Sequence, residues 1–363
     1  MSGSLLLARG LAGKIGGLSV VAARFRGMSS LDLAQGSLTT RAELAAAYGG
    51  SPHGGGIVPA NQSKNIFVFS DPAAGKEHDY TFDGRTDDDE FGVLYLYTGA
   101  GQPPADQELT DRNRSLLNHV QAGRDVHLFV ADGTVGDTET VRQRYIGQVV
   151  VDPVQPYEER WTQANGQPGR RLYVFRLRPA PGVTLALTDQ DTMQTASTTQ
   201  ALPVPPAGEG AAGTSATAVP TEQHGTDSTT ANITGGARTV LRREGRLVTA
   251  FEDHAAAHGH VVHRFQIRVT GERGAFLTDP YDATDNVLYE AKGKATREYV
   301  RMAIGQLLDY RRHIDVPDGL RLAVLLPEEP TADLRSLLEA EGIALVTKTS
   351  DGFAGFPLPP ATD

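Results

Sequence analysis

The chain has 363 residues, a formal net charge of −10 at pH 7 and no cysteine. Its length exceeds that of an average domain, so two domains are expected, and its acidity excludes a small, wholly basic nucleic-acid binder. The lack of cysteine excludes disulfide scaffolds, Cys-ligated zinc, iron–sulfur centres and thiol nucleophiles, and it fits a cytoplasmic protein.

The two ends and the middle of the chain define the predicted units. Residues 1–28 are basic and contain a short apolar run, which predicts a disordered leader, with a signal or transit peptide as the alternative. No apolar run approaches the roughly 20 residues that a membrane-spanning helix needs, so no membrane partner is expected. Between Arg178 and Arg238 there is no Lys or Arg, and the Thr-, Ala-, Gly- and Pro-rich composition predicts a flexible linker. The predicted units are a leader 1–28, a first domain 29–180, a linker 181–235, a second domain 236–355 and a tail 356–363.

The first domain is predicted to consist mainly of strands. A short helix over 41–48, capped by Thr39 or Thr40, precedes several β-branched and aromatic runs that are separated by turn residues. Strands are predicted at 65–70, 92–98, 126–130, 144–151 and 171–177, and a second helix at 111–122. This pattern favours a strongly curved sheet or barrel with one or two helices.

Three short motifs follow one another in the first domain. An FDG sequence at 82–84 precedes YTGAG at 97–101, which is followed by DQELTDRN at 106–113. Over about 65–180 this order resembles the SRA domain (SET- and RING-associated, also called YDG). The resemblance implies a reader of duplex DNA that flips 5-methylcytosine or a relative such as 5-hydroxymethylcytosine into a pocket.

A pocket for a flipped cytosine needs stacking rings and a carboxylate that accepts a hydrogen bond from cytosine N4. Counting back from the YTG motif assigns the carboxylate to Asp88, with Asp83 as the alternative, although the run 87–89 also fits a solvated loop. The resemblance places Tyr97 and Thr98 in the pocket wall. Tyr80 or Phe82 is expected to stack on the base, and Asn113 to contact the DNA backbone.

The second domain is predicted to alternate helices and strands. Helices are predicted at 237–258, 296–313 and 334–340, and strands at 261–269, 275–279, 287–292, 321–326 and 343–346. This order begins αβββαβ, so the whole chain is predicted to be an α+β protein of two domains. Glu244 lies on the apolar stripe of the first helix, where an unpaired carboxylate is costly to bury.

Asp279 is followed after ten residues by Glu290-Ala291-Lys292, and the next helix carries Gln306 and Tyr310. Over about 236–350 these residues resemble the PD-(D/E)XK nuclease fold, including the QxxxY motif of one of its branches. The resemblance implies an endonuclease in which Gln306 and Tyr310 support the site or contact DNA. It also implies that Glu244 is the acid that the helix contributes to the catalytic site.

The spacing of these residues has a mechanical reason. Residues i and i+2 of a strand point to the same face, so Glu290 and Lys292 point together. The carboxylates of Asp279 and Glu290 suit Mg²⁺, with Mn²⁺ as the alternative, and Lys292 is expected to orient or deprotonate the attacking water. Asp282 and Asp285 are rivals to Asp279 as the metal ligand. Metal ligation is the less favoured alternative for four nearby histidines, because no HExxH motif accompanies them and only the first pair has helical i, i+4 spacing: His254, His258, His260 and His263.

The segment after Lys292 is locally basic. Lys294, Arg297 and Arg301 are candidates for contacts to DNA phosphates, and a solvated helix face is the alternative. Together the two halves predict a type IV-like, modification-dependent restriction endonuclease that acts on double-stranded DNA as a homodimer and defends against phage. The alternatives are a modified-DNA-binding protein that does not cleave, and a nuclease that reads glucosylated cytosine or phosphorothioate DNA.

Overall fold

The structure is a computed structural model, and it describes residues 31–72, 82–89, 91–164, 167–206, 235–316 and 319–360. The expected leader 1–28 and Tyr80 lie outside the described residues. Two β-sheets with flanking helices form the described part, which confirms the expected α+β class. Within these ranges no helix combines the length and apolar character needed to cross a bilayer.

The first sheet has nine strands in the order β2-β3-β6-β7-β9-β5-β4, with β1 on β7 and β8 on β9. Its pairings are antiparallel except for the parallel β3–β6 pair. The strands are β1 (Leu38–Thr39), β2 (Ile57–Ala60), β3 (Asn65–Ser70), β4 (Gly84–Arg85), β5 (Tyr95–Thr98), β6 (Asp125–Thr134), β7 (Val141–Val151), β8 (Tyr157–Ala164) and β9 (Gln167–Pro179), and the helices are α1 (Arg41–Tyr48) and α2 (Asp111–Leu117).

Both faces of this sheet are covered. Leu44 of α1 packs with Phe67, Phe129 and other side chains of one face, while Leu116 of α2 joins the main apolar core on the other. Helix α1 begins where Thr40 and Glu43 form a reciprocal capping box. Helix α2 ends at Leu117, five residues earlier than predicted.

The second sheet has eight strands in the order β10-β11-β13-β14-β15-β16-β17, with β12 on β11. Strands β14, β15 and β16 are parallel, and the other pairs are antiparallel. The strands are β10 (Gln200–Val204), β11 (Val262–Arg268), β12 (Phe276–Leu277), β13 (Tyr281–Asp282), β14 (Val287–Ala291), β15 (Arg321–Leu326), β16 (Ala344–Lys348) and β17 (Phe353–Ala354), and the helices are α3 (Gly235–Ala257), α4 (Arg297–Tyr310) and α5 (Ala332–Ala340).

Helices cover both faces of the second sheet. Leu307 of α4 and Leu334 of α5 pack with Leu288 and Val324 on one face, and Phe251 of α3 packs with Tyr289 on the other. Four strands, β11, β12, β13 and β14, lie between α3 and α4, where three were predicted. The predicted strand 275–279 is present as the short β12, and β13 was not predicted. This arrangement brings Asp279, which follows β12, beside Ala291 at the end of β14.

Two segments expected to be irregular are ordered. Strand β10 lies inside the predicted linker, and it pairs with β11 over five residues. Its Leu202 and Val204 are buried against Trp161 and Leu277, partners that the composition of the segment does not reveal. In the predicted tail, the Phe356 ring packs on Phe251 with centroids 5.3 Å apart. Residues 207–234 of the predicted linker lie outside the described part of the chain.

Candidate base pocket and candidate metal centre

The YTGAG and DQELTDRN motifs form one hydrogen-bonded unit. Gln107 is buried, and its amide donates to Gly99 O at 2.6 Å and accepts from Tyr173 N–H at 2.8 Å. Asn113 accepts from Ala100 N–H at 2.7 Å and donates to Ala100 O and Glu108 O, both at 2.8 Å. The Asn113 amide is therefore used inside the protein to shape the loop after β5. The expected contact of Asn113 with the DNA backbone stays a prediction.

Asp83 lies beside this loop. Its carboxylate accepts from Thr98 N–H at 2.7 Å and from the Ser70 hydroxyl at 2.8 Å, and the Tyr95 hydroxyl donates to Ser70 in turn. Burial raises the pKa of Asp83 to about 6, against hydrogen bonds from Thr98 and Ser70 that favour the charged form. A carboxylate has about four acceptor positions, so Asp83 retains capacity for a further donor.

The structure places Asp88, the first choice by counting, away from this network. Asp88 pairs with Arg85 at 3.1 Å, and 45% of its side chain is exposed. Asp89 is held by Arg178 and Arg176 instead, and Asp87 pairs with Arg273 at 2.6 Å. These placements favour Asp83 as the carboxylate nearest to Thr98. Asp87 and Asp89 form ion pairs with other segments of the chain, whereas Asp88 pairs within its own stretch, and its assignment as the base-reading carboxylate stays a prediction.

The aromatic candidates differ in their surroundings. Tyr97 is buried, and a Cβ built on Gly56 would lie 1.9 Å from its hydroxyl, so the chain approaches Tyr97 closely there. Phe82 is also buried, in an apolar cluster with Leu94 and Leu96, and its expected role in stacking on a base stays a prediction. Ser70 was missed from the sequence because a lone serine after an apolar strand carries no distinguishing signal.

Four charged side chains converge where β12 and β14 end, and we call Glu244, Asp279, Glu290 and Lys292 the acidic cluster. Lys292 Nζ donates to Glu290 Oε1 at 2.5 Å, with both residues less than 5% exposed. Asp279 Oδ2 accepts from Ala291 N–H at 2.8 Å, and Glu244 Oε2 accepts from Gly293 N–H at 3.1 Å. Ala291 packs in the opposite apolar core, as the i and i+2 alternation predicts.

Burial is the largest influence on the pKa values of Glu244, Glu290 and Lys292 in the acidic cluster. Burial, and then the negative charge of Asp279, raises the pKa of Glu244 to about 7, although Lys292 opposes this shift. Burial raises the pKa of Glu290 well above its usual range, with Asp279 and Glu244 adding to the effect. Burial alone would lower the pKa of Lys292, but Glu290, Glu244 and Asp279 together raise it. The carboxylates therefore lack enough positive charge nearby.

Asp282 and Asp285, the rivals to Asp279, form a separate group with His260. The ligand atoms of these three residues lie within 4.8 Å of one another, which makes the group capable of holding a metal ion. Asp282 is fully buried, and its Oδ2 is 2.6 Å from His260 Nδ1. Asp282 pairs with Val287, four residues before Ala291, so this group lies about 13 Å along β14 from the acidic cluster.

The remaining candidates surround α4. Gln306 Nε2 donates to the Tyr310 hydroxyl at 3.2 Å, and the buried Tyr310 ring stacks on Phe276 with centroids 5.4 Å apart. Both side chains therefore support β12, the strand that leads to Asp279. Arg297 pairs with Asp333, and Arg301 is exposed. Lys294 Nζ lies 5.7 Å from the centroid of the Tyr299 ring.

Residues 35–196 match the family model described as "ScoMcrA-like, SRA domain". A search of curated proteins gives no match. Solved structures that are similar include the sulfur-binding and SRA domains of ScoMcrA complexed with phosphorothioated DNA (24% identity, 41% of each chain, TM-score 0.30). The SUVH5 SRA domain with fully methylated CG DNA is another (19% identity, 44% of this chain and 98% of that chain, TM-score 0.30).

The modification-dependent restriction endonuclease AspBHI is similar at 16% identity over 39% of this chain and 68% of that chain, with a TM-score of 0.27. The chain spans 41% of the first ScoMcrA structure and 28% of a second, which is described as a type IV phosphorothioation-dependent restriction endonuclease. The family match identifies residues 35–196 as an SRA-like region.

Proposed function

We propose that the chain is a modification-dependent endodeoxyribonuclease of the type IV-like restriction class. In this proposal the SRA region reads a modified cytosine, 5-methylcytosine or 5-hydroxymethylcytosine, in double-stranded DNA. The second domain is a nuclease of the PD-(D/E)XK type that hydrolyses phosphodiester bonds with Mg²⁺, or with Mn²⁺ as the alternative. The match of residues 35–196 supports the first part, and the acidic cluster supports the second.

The charge of the acidic cluster is the observation that carries the proposal. Three carboxylates share one ammonium in a largely buried site, and burial and the neighbouring carboxylates raise the pKa of Glu244 to about 7 and the pKa of Glu290 well above its usual range. Buried charges are costly unless they are paired or coordinate a metal. A divalent cation restores the balance, and hard carboxylate oxygens are the ligands that Mg²⁺ prefers. The donor set therefore fits Mg²⁺, with Asp279 and Glu290 as the protein ligands.

The remaining residues have roles that follow from their positions. When bound, Mg²⁺ supplies a water of lowered pKa and stabilises negative charge on the phosphate. Lys292 holds Glu290 through its 2.5 Å contact and presents a positive charge to the attacking water and the scissile phosphate. Glu244 orients the Gly293 amide and contributes a third carboxylate. Lys294, Arg297 and Arg301 lie after the site and hold DNA phosphates.

In the SRA region we assign the base-reading carboxylate to Asp83. It already accepts from the Thr98 amide, and an ionised carboxylate is the acceptor that cytosine N4 requires. Tyr97 and Thr98 form the wall beside it, and Tyr80 or Phe82 remains the proposed stacking partner. Cutting both strands calls for two active sites, so we propose a homodimer on DNA that acts in the cytoplasm in defence against phage.

Digestion of matched plasmids tests the proposal directly. Plasmids carrying cytosine, 5-methylcytosine, 5-hydroxymethylcytosine, glucosylated cytosine or phosphorothioate linkages are incubated with and without Mg²⁺, alongside Lys292→Ala and the exposed control Lys348→Ala. We expect Mg²⁺-dependent cleavage of the methylated or hydroxymethylated plasmid, and a loss of at least about 100-fold in Lys292→Ala. The Lys348→Ala variant should cleave as the unaltered chain does.

The outcomes separate the parts of the proposal. Full cleavage by Lys292→Ala would remove the acidic cluster from catalysis. Binding to methylated DNA without cleavage under any metal would instead identify a reader that does not cut. Cleavage confined to glucosylated or phosphorothioate plasmids would support the nuclease assignment but show that the chain reads that modification in place of 5-methylcytosine or 5-hydroxymethylcytosine.

A further inference from the structure

The SRA region packs directly on the strands of the second sheet. Gln266 of β11 accepts from Trp161 N–H at 2.8 Å and donates to Trp161 O at 3.0 Å, and the pair is buried. The Trp161 ring packs with Leu202, Val204 and Leu277, so β8 of the first sheet shares an apolar cluster with β10 and β12 of the second. The two sheets therefore meet in a specific, hydrogen-bonded contact.

Arg160 extends this contact toward the acidic cluster. Its guanidinium donates both to the carboxylate of Glu158, within its own strand, and to the backbone carbonyl of Ala275 in the second sheet. Arg160 and Glu158 are both buried, and Arg176 donates to the other oxygen of Glu158 at 2.6 Å. Arg176 thus holds one oxygen of the Glu158 carboxylate, and the other oxygen holds the Arg160 guanidinium in place beside Ala275.

Ala275 begins the short segment that ends at Asp279. This segment passes through β12, and Thr278 then exchanges two hydrogen bonds with the backbone of Phe265, each of 2.9 Å. Asp279 follows, with its carboxylate on the Ala291 amide. The segment 275–279 is therefore held by the SRA region at its start, by β11 near its end and by β14 at Asp279. A strand of only two residues has few ladder bonds of its own, so these outside contacts determine its position.

We infer that Arg160 is a positioning residue for the nuclease site, supplied by the SRA region. It fixes Ala275 and thereby sets the location of Asp279 relative to Glu290, so the docked reader completes the metal site of the second domain. This inference rests on the proposed function. It adds that the reader contributes to cutting as well as to recognition, and that a chain with an undocked reader binds the mark but turns over slowly.

The test compares full-length Arg160→Ala, Arg160→Lys and Gln266→Ala with the control Arg335→Ala, which removes an exposed ion pair to Glu329. Single-turnover cleavage of a methylated duplex is measured at saturating DNA over a range of Mg²⁺ concentrations. Affinity for the same duplex is measured separately without metal. Hydrogen exchange of the amides in 275–279 is followed in the metal-free proteins.

For Arg160→Ala we expect a rate about 10- to 100-fold lower, the range for groups that orient metal ligands, with a Mg²⁺ midpoint shifted upward. Duplex affinity should stay within about twofold, and exchange over 275–279 should be faster. Arg160→Lys, which keeps the positive charge, should recover part of the rate. If Arg160→Ala does not fold, Gln266→Ala must show the same separation of rate from affinity.

Three results would overturn the inference: an unchanged Mg²⁺ dependence in a folded Arg160→Ala, unchanged exchange over 275–279, or equal losses of rate and affinity in every variant. Failure of the proposed function has a different signature, because the unaltered chain would then cut no duplex at any Mg²⁺ concentration. In that case the exchange measurement still decides whether Arg160 fixes the 275–279 segment.

Discussion

Asp83 is held between a backbone amide and a hydroxyl, whereas Asp88 is held by an exposed guanidinium. The two environments give the carboxylates different chemistry. An exposed ion pair contributes at most about 1 kcal/mol and leaves its carboxylate solvated. Asp83 is partly withdrawn from water, and its pKa of about 6 puts its ionisation within the range in which binding can be measured. The sequence shows both residues as Asp in an acidic stretch, and only the tertiary contacts of Thr98 and Ser70 distinguish them.

Replacing Asp83 by Asn should therefore remove both the preference for modified DNA and its pH dependence. The pKa of Asp83 is raised from 3.8 to about 6 on folding, so its favourable contribution to stability is full below pH 3.8 and is lost as pH rises through about 6. The ionised acceptor for cytosine N4 exists above that value. We expect the affinity of the unaltered chain for a methylated duplex to fall as pH is lowered from 7.5 to 5.5.

In Asp83→Asn the affinity should be lower by about 1–3 kcal/mol at pH 7.5, the value of one good base contact, and nearly flat with pH. Fluorescence anisotropy with matched methylated and unmethylated duplexes measures both quantities. Asp88→Asn is the matched control and should keep the preference and its pH profile. A loss of preference in Asp88→Asn alone would return the pocket to the position that counting assigns.

At the scale of elements, the YTGAG and DQELTDRN motifs hold each other in place through hydrogen bonds. The sequence identifies them by their order, but the amide side chains of Gln107 and Asn113 show why the order exists. Each buried amide satisfies backbone groups of the YTGAG loop, which has no regular partner strand over 99–101.

The composition of each strand decided whether the sequence could predict it. Runs such as 65–70 and 321–326 are continuous apolar segments, whereas β8 mixes Glu, Arg and Gln and was not predicted.

Asn113→Ala should destabilise the SRA region because it leaves the Ala100 amide and two carbonyls without their hydrogen bonds. The expected loss in the free energy of unfolding is about 1–3 kcal/mol, since unsatisfied buried groups carry their full desolvation cost. Urea denaturation followed by tryptophan fluorescence reports it through Trp161. Arg114→Ala, one residue along the same helix and exposed, should change stability by less than about 0.5 kcal/mol. Equal stability of the two variants would show that Asn113 is replaceable and leave its proposed structural role unsupported.

At the scale of the whole molecule, the acidic cluster and the contact between the sheets depend on residues far apart in sequence. Glu244, Asp279 and Glu290 come from three elements, and the order αβββαβ together with the strand alternation allowed their meeting to be predicted. The contact between Trp161 and Gln266 spans 105 residues and carries no local pattern, so the composition of 181–235 indicated a tether between independent domains. Local periodicity identifies elements and the residues within them, but it does not report which surfaces of two domains touch.

The acidic cluster also links metal binding to the stability of the folded chain. Its carboxylates are brought together only on folding, so Mg²⁺ should bind the folded state and raise the melting temperature of the whole protein. At 100 times the dissociation constant the gain is about 2.7 kcal/mol. Without metal, the ionised form of Glu290 destabilises the folded state, since burial and neighbouring carboxylates raise its pKa well above the usual value of 4.5. Its favourable contribution is lost as pH rises through that raised pKa.

Glu290→Gln should therefore be at least as stable as the unaltered chain in EDTA, with the advantage growing toward alkaline pH, and it should gain nothing from Mg²⁺. Differential scanning calorimetry at pH 6 and pH 8.5, with and without Mg²⁺, measures these differences. Asp282→Asn separates the second metal-capable group from the first, because it lies at the far end of β14 and should leave the Mg²⁺ response intact if Asp279 and Glu290 hold the ion. A Mg²⁺ response that survives in Glu290→Gln and disappears in Asp282→Asn would place the cation at His260, Asp282 and Asp285, and the chemistry would have to be rebuilt from that end of the strand.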